Sequence, residues 1–381
     1  MTAIMVTRCQ KNELIFKNRW LSLSFLTVII TIAAGGAFGK YSGGSGTAGV
    51  PYRIATRADL LALAADTGDY NKCFILTADI NLIGQIFSAA IIAADGSPAF
   101  SGTFDGSGHK ITNFTINTNN YDHGLFGTIT GGLVENLGIE NCSVSGYYAG
   151  CLAGFTSGGT ISNCYSTGSV SGDSSCASVG NLVGENWGTI SDCYSTGSVS
   201  GASTYVGGLV GRNMGIVSRC YAAGAVSGSY DLGGLAGNND GSISNCYSAG
   251  TVSGSEIVGG LVGINHSNIT NCYATGAVSG SYNLGGLVGY QSGAGASAVS
   301  SFWDTQTSGR ATSAGGTGKT TAQMKTLSTF TSAGWDFVEI WGIEEIQTYP
   351  YLPALPGDLN HDKKVNFKDF AIFASHWLEG I

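Results

Sequence analysis

Val206-Gly207-Gly208-Leu209-Val210-Gly211, followed by Ile216-Val217-Ser218-Arg219-Cys220-Tyr221-Ala222-Ala223-Gly224-Ala225-Val226-Ser227-Gly228, decides the fold, because the chain writes it repeatedly. Copies place Leu at 182, 209, 235, 261 and 287 and Cys at 164, 193, 220, 246 and 272. The leucines are 27, 26, 26 and 26 residues apart, and from Leu182 to Leu261 each cysteine follows its leucine by 11. So regular a period belongs to a solenoid whose coils bury apolar residues only against their neighbours. The units are rich in glycine and β-branched residues and hold no run of helix formers, so the coils are β and not helical. About 26 residues fit a rung of three short strands and three turns, and rungs stacked at ~4.8 Å build parallel sheets. The fold class is all-β, a parallel β-solenoid.

Columns of the repeat read as ladders. Ile or Val at 161, 190, 217, 243 and 269 precedes the Cys column by three, a spacing that on a straight strand puts the two on opposite faces. The residue before each Cys is Asn163, Asp192, Arg219, Asn245 or Asn271, mostly types that tolerate a left-handed turn. A corner there resets the alternation and turns both columns inward. Asn186, Asn213, Asn239 and Asn265, with Gln291 next, form an amide column suited to hydrogen bonding along the axis.

The net charge of −8 and pI near 5.0 argue against nucleic acid and anionic membrane as partners, and 60 glycines with 11% charged residues are unlike an ordinary soluble enzyme. Arg8, Lys11, Lys17 and Arg19 precede an apolar run over residues 20–34, the layout of a secretory signal over residues 1–39, with an uncleaved membrane anchor as the alternative. Removing that signal removes Cys9 and leaves nine cysteines, an odd number that cannot all pair. Ladder cysteines point in parallel and are expected as free, buried thiols, while Cys151 and Cys176, about one rung apart, are the expected bridge.

In chain order, residues 40–50 form a Gly/Ser-rich linker, and Thr56-Arg57-Ala58-Asp59 reads as a capping box opening a short helix that covers the solenoid's first edge. Residues 51–123 hold this cap and the first coils, 124–309 the repeats, and 310–353 an aromatic C-terminal cap with a short helix starting at Thr320-Thr321-Ala322-Gln323. In the last coil Trp303 takes the place of the repeat tyrosine. Ser313-Ala314-Gly315-Gly316-Thr317-Gly318-Lys319-Thr320 nearly spells a phosphate loop but lacks its first glycine, and reads as a flexible loop. The tail, residues 354–381, presents Asp358, Asn360, Asp362, Lys364 (through its carbonyl), Asn366 and Asp369 at the spacing of a calcium loop ahead of a helical stretch.

The repeated text, Gly-Gly-Leu-Val-Gly followed by Ile-x-Asn-Cys-Tyr, resembles the GLUG repeat of bacterial surface and secreted proteins, some of them IgA-cleaving metallopeptidases or adhesin-like chains. The resemblance implies a right-handed β-helix over about residues 50–350. The tail resembles half of a type I dockerin, which implies calcium and a cohesin-like partner. It departs from that pattern in having one segment and Lys363 at the loop's sixth position.

Peptidase chemistry needs an HExxH helix, and the histidines at 109, 123, 266, 361 and 376 supply none. Glycoside hydrolysis needs two neighbouring carboxyl groups; Glu185, Asp192, Asp231, Asp240 and Glu256 fall in five different columns, leaving Asp105, His109 and Asp122 as the catalytic candidates. Tyr165, Tyr194, Tyr221, Tyr247 and Tyr273, with Trp303, are the candidate binding column: if Cys points in, the next Tyr points out, and a row of rings suits a glycan. The alternative is that the rings merely stack on each other, or point in with Cys out. The expected role is a secreted or surface-attached, non-catalytic scaffold that binds glycans or other surface proteins. A polysaccharide-degrading enzyme and a purely structural repeat protein are the competing readings.

Overall fold

The computed structural model describes residues 40–94, 96–117, 121–172, 178–202 and 205–353. Among them the chain winds into a β-solenoid of three sheets, of 15, 6 and 16 strands, whose pairings are all parallel. Each repeat is one rung. Ile190 pairs in register with Val217 and Val217 with Ile243; likewise Tyr194 with Tyr221 and Tyr221 with Tyr247, and Val199 with Val226 and Val226 with Val252.

The corner before each cysteine is left-handed: φ is 51° at Asn163, 58° at Asp192, 51° at Arg219, 52° at Asn245 and 54° at Asn271. Resetting the alternation there sends both flanking columns inward, so Ile161, Ile190, Val217, Ile243 and Ile269 and all five ladder cysteines are buried. Arginine is a poor left-handed residue, and at Arg219 the conformation is held by a two-pronged ion pair to Asp192 one rung earlier, at 2.6 and 2.7 Å.

The cysteines are free thiols, as their parallel directions require. The thiols of Cys193, Cys220, Cys246 and Cys272 each accept the backbone N–H of the ladder cysteine before them at 3.4 Å and donate to the carbonyl two residues back, as Cys220 does with Cys193 N and Ser218 O. In the last coil the Ser301 hydroxyl takes over, accepting from Cys272 N at 3.1 Å. The amide column also forms. Asn186 donates to Asn213, Asn213 to Asn239, Asn239 to Asn265 and Asn265 to Gln291, at 2.8, 2.9, 2.8 and 3.3 Å.

Cys151 bonds to Cys142, nine residues away in the chain, with Cα atoms 6.1 Å apart, and not to Cys176. The reason is direction. Cys151 lies where the next rung has Asn181, whose amide reaches across the coil to the Gly168 carbonyl, beside the place that Cys142 fills one rung earlier. Cys151 points across its own rung and not along the axis. Cys176 lies outside the described residues.

Both edges are closed. The helix Arg57–Ala65 starts on the Thr56/Asp59 capping box and buries Leu60 and Leu63 in the core beside Tyr52–Ile54, the first strand of its sheet. At the far end Phe302–Asp304 pairs with Thr317–Lys319, and the helices Thr321–Met324 and Leu327–Thr331 lead into a cluster of Met324, Phe330, Trp335 and Trp341 over Tyr273 and Phe302. The segment read as a flexible loop is built into this end. The Ser313 hydroxyl accepts the N–H groups of Leu287 and Val288, and the Thr317–Lys319 strand lies within it. Among the described residues no helix is long and apolar enough to cross a membrane; the apolar run at 20–34 lies outside them.

Candidate functional site

The tyrosine column is the first candidate. Tyr165, Tyr194, Tyr221, Tyr247 and Tyr273 stack plane on plane, with centroids 5.0, 4.9, 4.8 and 5.0 Å apart and tilts of 2–6°. Ring faces therefore meet ring faces, and the edges turn outward. The Tyr165 hydroxyl donates to Glu140 at 2.8 Å. Tyr273 is buried under Trp335, Trp341 and Tyr349, with its hydroxyl donating to the Pro350 carbonyl. Burial pushes the Tyr221 hydroxyl up to about 12.

Trp303 does not join this column. Phe302 pairs with Tyr273, whereas Trp303 pairs with Ala274, is buried, and donates its ring N–H to the Arg310 carbonyl at 3.0 Å. The last corner comes one residue earlier than the text suggests, at Ser300 with φ 49°, so every later residue moves one place along the coil.

Asp105, His109 and Asp122 enter three separate hydrogen-bonding sets. Asp105 caps its own turn, accepting from Ser107 N at 2.8 Å and from the Asn136 amide at 2.9 Å. His109 meets Asp79 at 3.1 Å on the surface. Asp122 accepts from the Thr128 hydroxyl at 3.1 Å, and burial, with a smaller contribution from Glu185, holds its carboxyl above the ordinary carboxylate range. The tail residues Asp358, Asn360, Asp362, Lys364, Asn366 and Asp369 lie outside the described residues.

A second surface emerges at the Gly-Gly-Leu-Val-Gly turn. Its glycines let the strand Val206–Gly207 and the strand Val210–Asn213 pack with no side chain between them; a Cβ on Gly207 would sit 1.9 Å from the Val210 carbonyl oxygen. The residue before the Val206 position is left-handed in many rungs, at Asp122, Tyr205, Asp231, Ile257 and Asn283. The two strands thereby present facing rows along the axis. One runs Tyr148, Ser178, Tyr205, Asp231, Ile257, Asn283, with Asp122 ahead of it, and the other Thr128, Phe155, Glu185, Arg212, Asn238, Ile264, Tyr290. The rows touch across the rung: Thr128 bonds Asp122, Ser178 bonds Glu185 at 3.3 Å, and the Arg212 guanidinium lies over the Tyr205 ring at 5.6 Å.

Beside these rows lie exposed rings. Tyr121 is 63% exposed, Trp187 49%, Tyr230 46% and Tyr282 67%. Tyr121 packs on Tyr147 with centroids 4.7 Å apart, and Trp187 donates to the buried Glu185 at 2.6 Å. Arg212 is held by Asp240 at 2.8 Å. Glu185, Asp192, Asp231, Asp240 and Glu256 do occupy five columns, yet four of them, all but Asp192, line this one face. Sequence reading passes over the face because its positions change from copy to copy. That variability is itself the available signal: text repeated in every rung builds the coil, and text that breaks the repeat is free for something else.

The fold and face together define the class, a β-helix repeat protein. The GLUG motif matches at residues 202–227, 228–253 and 254–279. The chain is 38% identical over 152 residues, 37% of its length, to halomucin of Haloquadratum walsbyi, and 51% identical over 51 residues, 13% of its length, to a candidate Gly-rich membrane protein of Evansella cellulosilytica. It spans 2% and 6% of those proteins' lengths. Among solved structures it is similar to a candidate immunoglobulin A1 protease from Bacteroides ovatus, with a TM-score of 0.59 and 25% identity over 83% of this chain and 96% of that one.

Proposed function

We propose that the chain is a non-catalytic cell-surface or extracellular β-helix that binds extended glycans along the face formed at the Gly-Gly-Leu-Val-Gly turns. The observation that carries this is the set of exposed rings flanking the two rows, Tyr121, Tyr230 and Tyr282 on one side and Trp187 on the other, beside carboxyl and amide groups. Open aromatic faces pack against the apolar faces of sugars, and flanking oxygens take their hydroxyls. Rungs repeating at ~4.8 Å offer such groups at a spacing close to one sugar unit. The repeat tyrosines are the weaker surface for this purpose, since their faces are stacked on one another.

The names halomucin and Gly-rich membrane protein support a surface location. A peptidase role gains nothing from the solved neighbour, because this sequence holds no HExxH. The calcium loop and cohesin-like docking of the tail remain part of the proposal as the means of attachment. One observation favours a second reading, a polysaccharide-degrading enzyme: Asp122 is raised by burial beside the charge of Glu185, as a general acid would be.

The test is size-exclusion chromatography of a polysaccharide panel incubated with the chain, following sugar and protein together. Binding predicts that an intact polysaccharide co-migrates with the protein, and that Tyr121→Ala with Trp187→Ala abolishes this while Tyr221→Ala leaves it. A polysaccharide that emerges shorter establishes the enzyme reading instead. Loss in the Tyr221→Ala chain alone returns the site to the stacked column.

A further inference from the structure

Halfway along the face two buried polar groups have no partner. Asp231 is 8% exposed and makes no hydrogen bond or ion pair among the described residues. Asn238 is 2% exposed, and its Oδ1 has no donor. They hold the same two places in their rung that Ser178 and Glu185, and Tyr205 and Arg212, hold in theirs, where the paired side chains meet across the face. An acceptor shut away from water without a donor is costly, and this falls on Asn238 Oδ1, whereas the Asp231 carboxyl keeps some contact with water at the open face.

The neighbours do not relieve this. Arg212, one rung earlier, is held by Asp240 at 2.8 and 2.9 Å and lies 3.9 Å from Glu185. His266 senses Asp231 electrostatically, but its Nδ1 is engaged with Ser292 at 2.9 Å. Glu256 adds a second negative charge. Burial first, and Glu256 second, raise the Asp231 carboxyl to about 6, against a small opposing effect of His266. Glu256 pairs in register with Tyr230 on one side and Tyr282 on the other, so the charge lies between two exposed rings.

We propose that Asp231, Asn238 and Glu256 form a subsite for the ammonium group of an amino sugar, with Tyr230 and Tyr282 holding the sugar ring. The proposal rests on the reading that this face binds glycans and names the class of glycan. The groups offered are acceptors, two of them carboxyl groups; an ammonium brings three donors and a positive charge. Flanking tyrosines attract a cation and cover the ring's apolar face. Sugars bearing carboxylate or sulfate are repelled. A calcium ion needs six to eight oxygens, more than three side chains at one point supply.

The experiment is calorimetric titration of the full chain near neutral pH, where Asp231 is ionised, with a glucosamine hexamer, its N-acetylated counterpart and a lysine hexapeptide. The glucosamine hexamer should bind about tenfold or more tightly than the N-acetylated one, the size of a charge-assisted contact. Asp231→Asn and, independently, Glu256→Gln should bring that ratio towards one by weakening the glucosamine hexamer more than the N-acetylated one. Asn is isosteric with Asp and Glu256 is exposed, so the two variants guard against a folding failure in either. Equal affinity for the two hexamers, or a ratio that neither variant alters, overturns the subsite. A lysine peptide that binds as tightly as glucosamine overturns the sugar and assigns the cation to a protein partner. If both hexamers bind equally and Trp187→Ala weakens both, the glycan-binding face stands and only the subsite falls; if neither binds, the reading of the face falls with it.

Discussion

Replacing Asp231 by Asn should stabilise the coil above about pH 6 and leave it unchanged near pH 4. The carboxyl is raised from 3.8 to about 6, chiefly by burial, so the folded chain holds this proton more tightly than the unfolded chain does. Below 3.8 both states are protonated and the group contributes no difference. Between 3.8 and 6 the folded state binds more protons than the unfolded one, so stability falls as pH rises, and above 6 the full penalty of a buried charge is present. Each pH unit of separation is worth ~1.4 kcal/mol. Allowing for the water that reaches an 8% exposed residue at an open face, the penalty is on the order of 2 kcal/mol. Asn has nearly the same shape and cannot ionise. Urea unfolding followed by tryptophan fluorescence, with wild type and variant compared at about pH 4 and about pH 7.5, reads the difference directly. Coincident midpoints at the lower pH and a higher midpoint for the variant at the upper pH are expected. A variant that is less stable at the upper pH would refute the reasoning, because it would mean that the carboxylate has a stabilising partner. The same pair of measurements explains the residue: a group without which the fold is more stable is more readily kept for a ligand than for the coil.

Asn239→Ala removes the acceptor of Asn213 and the donor to Asn265 inside the amide column, and should lower stability by ~2–4 kcal/mol in chemical denaturation; a loss under ~1 kcal/mol would mean that the column carries little. The five ladder thiols should resist a disulfide-exchange reagent until urea opens the coil, with the half-buried Cys73 reacting first; rapid native labelling of five further thiols would contradict the buried ladder. Cys220→Ser keeps an acceptor for Cys193 N and should be tolerated better than Cys220→Ala, by ~1 kcal/mol in the unfolding midpoint. Tyr221→Ala opens a gap in a half-buried stack and should cost ~2 kcal/mol of stability with sugar binding intact, whereas Tyr230→Ala should do the reverse.

The regular part of the coil was open to reading because one physical rule acts at each column. A left-handed residue before each cysteine turns two columns inward, and Asn163, Asp192, Asn245 and Asn271 announce it. Amides four residues after each leucine line up to bond one another along the axis, and the Thr56/Asp59 and Thr320/Gln323 boxes mark their helices by spacing. What escaped depended on exceptions to those rules. Ser300 adopts the left-handed corner without being Asn or Asp, which moved Trp303 from the expected surface row into the core. Cys151 faces across its rung, a direction that sequence spacing does not encode, and so meets Cys142. The binding face was hidden for a different reason. Asp122, Glu185, Arg212, Asp231 and Asn238 change identity from copy to copy although their positions keep the period, and only the pairing of rungs shows that they form two facing rows.

The central claim is that this β-helix holds glycans on the face at the Gly-Gly-Leu-Val-Gly turns and does not cut them. Long incubation of the intact chain with each bound polysaccharide, followed by sizing of sugar and protein in one chromatographic run, tests it most directly. The account predicts that the polysaccharide keeps its length and travels with the wild-type chain, and is released by Tyr121→Ala with Trp187→Ala. Shortened polysaccharide, or co-migration that survives both substitutions, would contradict it.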